Sequence, residues 1–84
     1  MDDKRMTTDE FEATFEPLGW ALATYGFIDY KGREHWLFTA ERENKKKRLT
    51  DSYTWCFYTT DDSDAEGERL LVLFAERVRC IDAE

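Results

Sequence analysis

The pattern of residues 20–42 most constrains the fold. From Trp20 onward apolar and polar residues alternate with a period of two, and many of them are aromatic or β-branched, as in a strand with one buried face. Residues 29–32, Asp-Tyr-Lys-Gly, predict a three-residue hairpin connection built on a type I turn with glycine in the left-handed conformation. We therefore predict an antiparallel hairpin of residues 20–28 and 33–42, with Gly26 as a candidate bulge.

The two faces of this sheet are predicted to differ. In the second strand Trp36, Phe38 and Ala40 alternate with His35, Leu37, Thr39 and Glu41. Residues 52–60 predict a third strand, with Tyr53, Trp55 and Phe57 together on one face. We expect the aromatic face to be the core and His35 to be half-exposed on the other face.

A short helix is predicted before the hairpin. Thr7 and Glu10 have the spacing of a capping box, and Phe11 and Phe15 lie one turn apart on the same face. Pro17 cannot continue the helix, so we expect it to cover residues 8–16. Residues 1–6 are expected to be disordered.

The last segment fits two structures. As a helix, it has an apolar stripe formed by Leu70, Leu71, Phe74, Val78 and Ile81, with Ser63 and Glu66 spaced as a cap. As a strand, it has one face formed by Leu70, Val72, Phe74, Val78 and Cys80, with residues 61–67 as a hairpin loop. Gly67 inside a helix costs about 1 kcal/mol, and Val72 and Leu73 fall outside the helical stripe, so the strand is favoured.

The predicted fold is therefore α+β, with a short N-terminal helix packed on a four-stranded antiparallel meander. The alternative is α-β-β-β-α, with a C-terminal helix at about residues 63–81. A chain of 84 residues forms a single small domain, here residues 1–84, and its thirteen aromatic residues supply much of the core. Cys56 and Cys80 have no metal-ligand spacing and are expected to be free thiols in the cytoplasm. No run of residues is apolar enough for a membrane segment, so no membrane association is expected.

Charge is distributed unevenly along the chain. The chain has 19 acidic and 12 basic residues, which gives a net charge of −7. Residues 42–48 alone carry +4, so the remaining 77 residues together carry −11. Acidic residues concentrate in residues 2–16 and 61–68, and the acidic and basic connections lie at opposite ends of the third strand. This distribution argues against direct nucleic-acid binding and favours an electrostatically selected protein partner.

No arrangement of residues predicts catalysis, a cofactor or a metal site. Residues 62–67 match the first half of a calcium loop, but the position of its bidentate glutamate is occupied by Leu73. His35 is the only histidine, and no nucleophile is placed beside it by sequence spacing. We therefore expect a protein that is not an enzyme and that holds no cofactor.

Three functions are compatible with these features. The first is a small acidic inhibitor or adaptor that binds one protein as a monomer or homodimer, in which acidic residues imitate the phosphates that a basic nucleic-acid-handling protein receives. In size and charge the chain resembles phage anti-restriction and anti-CRISPR proteins and uracil-DNA glycosylase inhibitors, although this resemblance covers no motif. The second is an antitoxin or accessory subunit that adds an aromatic edge strand to a partner's sheet. The third is a small metal-binding or enzymatic module.

The expected partner-binding residues follow from the first two functions. Four tyrosines are too many to bury in so small a domain, and exposed tyrosines beside acidic residues make effective interface anchors. The candidate residues are Asp61, Asp62, Asp64, Glu66, Glu68, Tyr58 and Tyr30.

Overall fold

The described part of the chain forms a three-stranded antiparallel sheet with two helices on one of its faces. The computed structural model describes residues 4–44 and 48–83. The elements are helix α1 (Thr8–Phe15), a 3-10 turn (Glu16–Leu18), strands β1 (Trp20–Tyr30), β2 (Arg33–Asn44) and β3 (Leu49–Tyr58), and helix α2 (Asp64–Asp82). The strands pair in the order β1-β2-β3, so the sheet is a meander with β2 in its centre. The predicted α+β class is confirmed.

The prediction of a fourth strand is wrong. Residues 64–82 form helix α2, whose buried residues Leu70, Leu71, Phe74, Ala75 and Val78 follow the helical period. The alternative order α-β-β-β-α is the observed one. Gly67 is accommodated in this helix despite its low helix propensity, because it lies where the helix backbone meets the side chains of Trp36 and Tyr25. Leu73, outside the stripe, is simply 42 % exposed on the helix surface.

The hairpin is confirmed, but its connection differs from the prediction. The strands extend to Tyr30 and Arg33, which are paired, and Lys31 and Gly32 form a two-residue turn with φ values of 55° and 77°. Positive φ at both positions is the mark of a type I′ turn, whose twist matches that of the strands. The irregularity in β1 lies between Leu22 and Thr24 rather than at Gly26.

Helix α1 begins as its sequence predicts. Thr7 and Glu10 make both hydrogen bonds of the capping box, and the helix ends at Phe15, where the 3-10 turn containing Pro17 follows. The expectation of disorder concerns residues 1–6, of which 1–3 lie outside the described residues. The backbone N–H of Met6 donates to the carbonyl oxygen of Glu68 at 3.1 Å, which joins the start of the chain to α2.

The core lies between the helices and one face of the sheet. Phe11 and Phe15 of α1 pack with Phe74 of α2 over Phe38 of β2, and all four rings are fully buried. The predicted alternation in β2 is confirmed, because Trp36, Phe38 and Ala40 are the buried residues that face the helices. Most of the cover over β2 and β3 comes from α2, rather than from the N-terminal helix alone.

A polar cluster lies at one end of the core, the end that is farther from the hairpin turn. Arg42 donates to Asp82 at 2.7 Å and to Asp51 at 3.2 Å, and its guanidinium lies 4.7 Å from the ring centre of Trp20. The Trp20 indole N–H also donates to Asp82, at 3.1 Å. This cluster joins the C-terminal turn of α2 to all three strands.

Candidate functional site

The face of the sheet turned away from the helices is uncovered by any other element that the structure describes. We call it the outer face. The register places on it Ala21, Thr24, Gly26, Ile28 and Tyr30 from β1, Arg33, His35, Leu37, Thr39, Glu41 and Glu43 from β2, and Thr50, Ser52, Thr54, Cys56 and Tyr58 from β3. A hydrogen bond of 3.0 Å between the hydroxyls of Thr39 and Thr54 confirms that these residues share a face. The charged residues of the outer face are Arg33 at the hairpin end and Glu41 and Glu43 at the opposite end.

No acidic residue lies on one part of the outer face, which extends from the row formed by Thr24, Thr39 and Thr54 to the hairpin turn. This area contains Thr24, Gly26, Ile28, Tyr30, Arg33, His35, Leu37, Thr39, Thr54, Cys56 and Tyr58. More than a fifth of the whole chain is acidic, with 19 carboxylates in 84 residues, so a surface without one is conspicuous. Carboxylates are costly to desolvate, and a face without them is the easiest part of this molecule to bury against another protein.

Two of the four tyrosines are the most exposed aromatic residues of this surface. Tyr30 is 63 % exposed and Tyr58 is 65 % exposed, whereas Tyr25 and Tyr53 are half-buried against the core. The expectation that the four cannot all be buried is thus met by Tyr30 and Tyr58, at the same end of β1 and β3. Ile28, beside them, is 39 % exposed.

One cationic group lies beside each exposed ring. The Arg33 guanidinium lies 5.5 Å from the ring centre of Tyr58, and the Lys31 ammonium lies 5.4 Å from that of Tyr30. His35, which we predicted to be half-exposed, is only 7 % exposed, because the Tyr58 ring lies 5.4 Å from its own ring. Its Nδ1 lies 3.2 Å from the Arg33 carbonyl oxygen. The Tyr58 ring therefore lies close to both Arg33 and His35.

An open cleft of about 520 Å³ adjoins Tyr58 at the edge of this surface. It is lined by Gly32, Arg33, Glu34, Tyr58, Thr59 and Thr60. The cleft lies where the β1–β2 turn approaches the end of β3, so its shape depends on the two-residue turn. Its lining side chains are those of one arginine, one glutamate, one tyrosine and two threonines, which suit contacts with polar backbone or side-chain groups of a partner.

The acidic residues 61–68 lie just beyond Tyr58, and two of them have structural roles. Asp61 accepts from the Ser63 N–H at 2.9 Å, and these hydrogen bonds with Ser63 lower the pKa of its carboxyl. Its carbonyl oxygen accepts from the Trp36 indole N–H at 2.8 Å. Glu66 pairs with Arg69, and its own N–H is capped by the Ser63 hydroxyl. Asp61 and Glu66 therefore help to begin α2.

The other three acidic residues differ in exposure. Asp62 and Asp64 are exposed, and neither makes an ion pair with any of the described residues. Glu68 is half-buried, and with Asp64 it adds to the effect of burial in raising the pKa of Tyr25. Arg5 and Arg69 line a groove beside Asp61 and Glu66, so this surface is mixed in charge. The free carboxylates here are those of Asp62 and Asp64.

The predicted partner-binding residues thus fall into two adjacent groups. Tyr30 and Tyr58 lie on the outer face, and the five acidic residues lie around the start of α2, at the same end of the sheet. Sequence reasoning missed Ile28 and Arg33, which flank the tyrosines. A two-residue turn would have placed them there, because it fixes Tyr30 opposite Arg33 and Ile28 opposite His35.

Among the described residues, no helix is long and apolar enough to cross a membrane. No group of three or more histidine, cysteine or acidic side chains lies close enough to hold a metal ion in residues 4–44 and 48–83. Both cysteines are free thiols. Comparisons of the chain with protein-family models, with curated proteins and with solved structures found no match.

Proposed function

We propose that this chain is a small acidic protein-binding module, an inhibitor or adaptor, that binds one protein partner through the outer face around Tyr30 and Tyr58. The observation that carries the proposal is the exposure of these two tyrosines on an area free of carboxylates, in a chain of net charge −7. Tyrosine is enriched among residues that dominate binding energy, and burying this area removes no acidic group from water.

The charge around this area selects the partner. Asp62 and Asp64 are exposed on the connection between Tyr58 and helix α2, at the same end of the sheet as the two tyrosines. Exposed carboxylates at this end stay hydrated while they attract a basic protein. Rim charges mainly speed association and make it sensitive to salt, whereas buried aromatic anchors slow dissociation. The partner we propose is therefore basic, with an apolar or hydrogen-bonding surface that accepts the tyrosines.

Imitation of nucleic acid is a narrower form of this proposal. It requires that Asp62 and Asp64 occupy a phosphate site of the partner, so that a nucleic acid and this chain compete. Asp61 and Glu66 contribute less to such imitation, since their carboxylates are engaged with Ser63 and Arg69.

Affinity capture with matched variants tests the proposal. The immobilised chain is exposed to lysate of the cells that produce it, and bound proteins are quantified by mass spectrometry. The combined variant Tyr30→Ser/Tyr58→Ser should lose the partner by at least about tenfold, since two anchors are removed. The Asp62→Asn/Asp64→Asn variant should retain part of the binding and lose much of its salt dependence.

The control removes two exposed carboxylates elsewhere, in the variant Glu12→Gln/Glu76→Gln, which should bind as the unmodified chain does. Full capture by the tyrosine variant would contradict the proposal. Displacement of the captured protein by a DNA or RNA oligonucleotide would support the narrower form, and its failure would remove that form alone.

A second candidate, an accessory subunit that adds a strand to a partner's sheet, is favoured by one observation. No described strand or helix pairs with the second edge of β3, which is a regular strand of ten residues. In capture experiments this function predicts that proline in β3 abolishes binding, while the tyrosine variant still binds.

A further inference from the structure

We infer that the cleft beside Tyr58 binds a carboxylate carried by the protein partner, and that Arg33 and the backbone N–H of Glu34 hold this carboxylate. The inference rests on the proposed function, since it names one group of the partner that meets the outer face. It depends on residues other than the two exposed tyrosines, so a test can separate the two proposals.

Among the residues that the structure describes, Arg33 is the only arginine or lysine on the outer face. Its guanidinium lies 5.5 Å from the ring centre of Tyr58, and both residues line the cleft. Arg33 forms no ion pair with any described residue, although the chain has 19 acidic residues against 12 basic ones. A cation–π contact uses none of the five N–H donors of a guanidinium as a hydrogen bond. These donors are therefore available to an acceptor of the partner.

The neighbouring acidic side chains are directed away from Arg33. Glu34 follows Arg33 in β2, so the alternation of a strand places its side chain on the helix side of the sheet. Asp29 is paired with Glu34 across the hairpin and shares that side. The Asp61 carboxylate accepts from the Ser63 N–H at 2.9 Å, at the start of α2. A carboxylate from outside the chain can therefore reach the guanidinium.

The backbone of Glu34 supplies a second donor at the same place. Because Arg33 belongs to the hydrogen-bonded pair that closes the two-residue turn, Glu34 directs its N–H away from β1 and towards the side of β3. The pairing of β2 with β3 ends at His35 and Tyr58, and Thr59 is not paired with Glu34. The N–H of Glu34 therefore lies beyond the last pair of the sheet, at the cleft that this residue lines.

The hydroxyl groups of the cleft also favour a ligand that accepts hydrogen bonds. Tyr58, Thr59 and Thr60 each bring a hydroxyl to its lining. The Thr59 hydroxyl oxygen already accepts from the Asp61 N–H at 3.2 Å, and its own O–H can donate to a ligand. A carboxylate carries acceptors only, and it binds a guanidinium through two parallel hydrogen bonds. The donors of the cleft therefore match a carboxylate.

Charge favours a carboxylate over a phosphate in this cleft. Both groups form paired hydrogen bonds with arginine. A phosphate monoester carries nearly two negative charges, so repulsion by nearby carboxylates opposes it about twice as strongly as it opposes a carboxylate. The chain has a net charge of −7, and Asp62 and Asp64 are exposed shortly after Thr60. A single carboxylate on an otherwise basic partner fits both the cleft and its surroundings.

Affinity capture with variants of Arg33 tests the inference. Arg33 is exposed and makes no ion pair with the described residues, so its variants should fold. Arg33→Gln should reduce capture of the partner at least about tenfold, whereas Arg33→Lys, which keeps the charge but not the paired N–H groups, should keep part of it. The matched control Lys4→Gln removes one positive charge from an exposed residue outside the sheet and should bind fully.

The same experiment separates this inference from the proposed function. Full capture by Arg33→Gln, together with loss of capture by Tyr30→Ser/Tyr58→Ser, would overturn the inference and leave the proposed function standing. Full capture by both variants would overturn both. Treatment of the lysate with a phosphatase before capture should change nothing, and loss of capture after this treatment would show that the cleft takes a phosphate instead.

Carbodiimide coupling identifies the group that occupies the cleft. This reagent joins a carboxylate to a primary amine in contact with it, and it does not couple a guanidinium. The amine that Arg33→Lys introduces should therefore be joined to the captured partner, whereas the unmodified chain should give no adduct at position 33. Mass spectrometry of the joined peptides then shows whether the carboxylate belongs to a side chain or to the C-terminus of the partner. Absence of this adduct, in a variant that still captures the partner, would overturn the inference.

Discussion

A methyl group added to Gly67 would lie 2.6 Å from Cη2 of Trp36, because the indole packs directly against the backbone of the first turns of α2. The same indole donates its N–H to the Asp61 carbonyl oxygen at 2.8 Å. Trp36, in the central strand, thus fixes both the turn after β3 and the start of α2. This contact sets the position of the acidic residues relative to the outer face.

Gly67→Ala should therefore destabilise the protein, although alanine is the better helix former by about 1 kcal/mol. The added methyl must displace Trp36 and the Tyr25 hydroxyl, and overpacking of this kind costs about 1–3 kcal/mol. The matched control is Gly26→Ala, which has nothing within 4 Å of the new methyl and should be neutral or slightly stabilising. Urea denaturation measures both, and equal stability of the two variants would refute the contact.

This contact also explains why the sequence favoured a fourth strand. Counted alone, Gly67 weakens a helix, and nothing nearby in the sequence reveals that Trp36, 31 positions earlier, occupies the space of its side chain. The helical stripe from Leu70 to Val78 and the Ser63 cap were readable from the sequence. Local propensity was outweighed by a tertiary contact.

Arg42→Lys should lower the free energy of unfolding by about 1–2 kcal/mol, since lysine cannot contact Asp82, Asp51 and the Trp20 ring together. Tryptophan fluorescence during urea denaturation measures the change. The control is Arg33→Lys, at an exposed position, where a change within about 0.5 kcal/mol is expected. An equal loss of unfolding free energy in both variants would show that the contacts of Arg42 with Asp82, Asp51 and Trp20 add no more stability than those of an exposed arginine.

Stability should fall as the pH rises above about 10, and Tyr25 should contribute to this fall. Burial, with a smaller effect of Glu68 and Asp64, raises the pKa of Tyr25 above its usual 10.0. A raised pKa means that the folded state holds the Tyr25 proton more tightly than the unfolded state does. The stability that this proton contributes is therefore complete below about pH 10 and is lost as the pH rises through the pKa of Tyr25 in the folded state. Tyr25→Phe should flatten this dependence in thermal melts, whereas Tyr30→Phe should not. An unchanged slope in Tyr25→Phe would contradict the assignment.

The candidate surface was only partly predictable from the sequence. The surplus of tyrosines indicated exposed anchors, and Tyr30 and Tyr58 were among the candidate residues, but composition alone does not determine which tyrosines are exposed. That depends on register: the two-residue turn puts Tyr30 on the outer face, and the pairing of β3 with β2 puts Tyr58 beside His35. The sequence suggested a three-residue connection instead, and a change of one residue there moves every side chain to the other face.

The most direct test of binding through the outer face is photo-crosslinking from that face in the cells that produce the protein. A benzophenone amino acid replaces Tyr30, Tyr58 or, as a control on α1, Glu12, and the adducts are identified by mass spectrometry. Positions 30 and 58 should crosslink to the same protein, distinct from this chain, and position 12 should not. Adducts from position 12 alone, or none from positions 30 and 58, would contradict it.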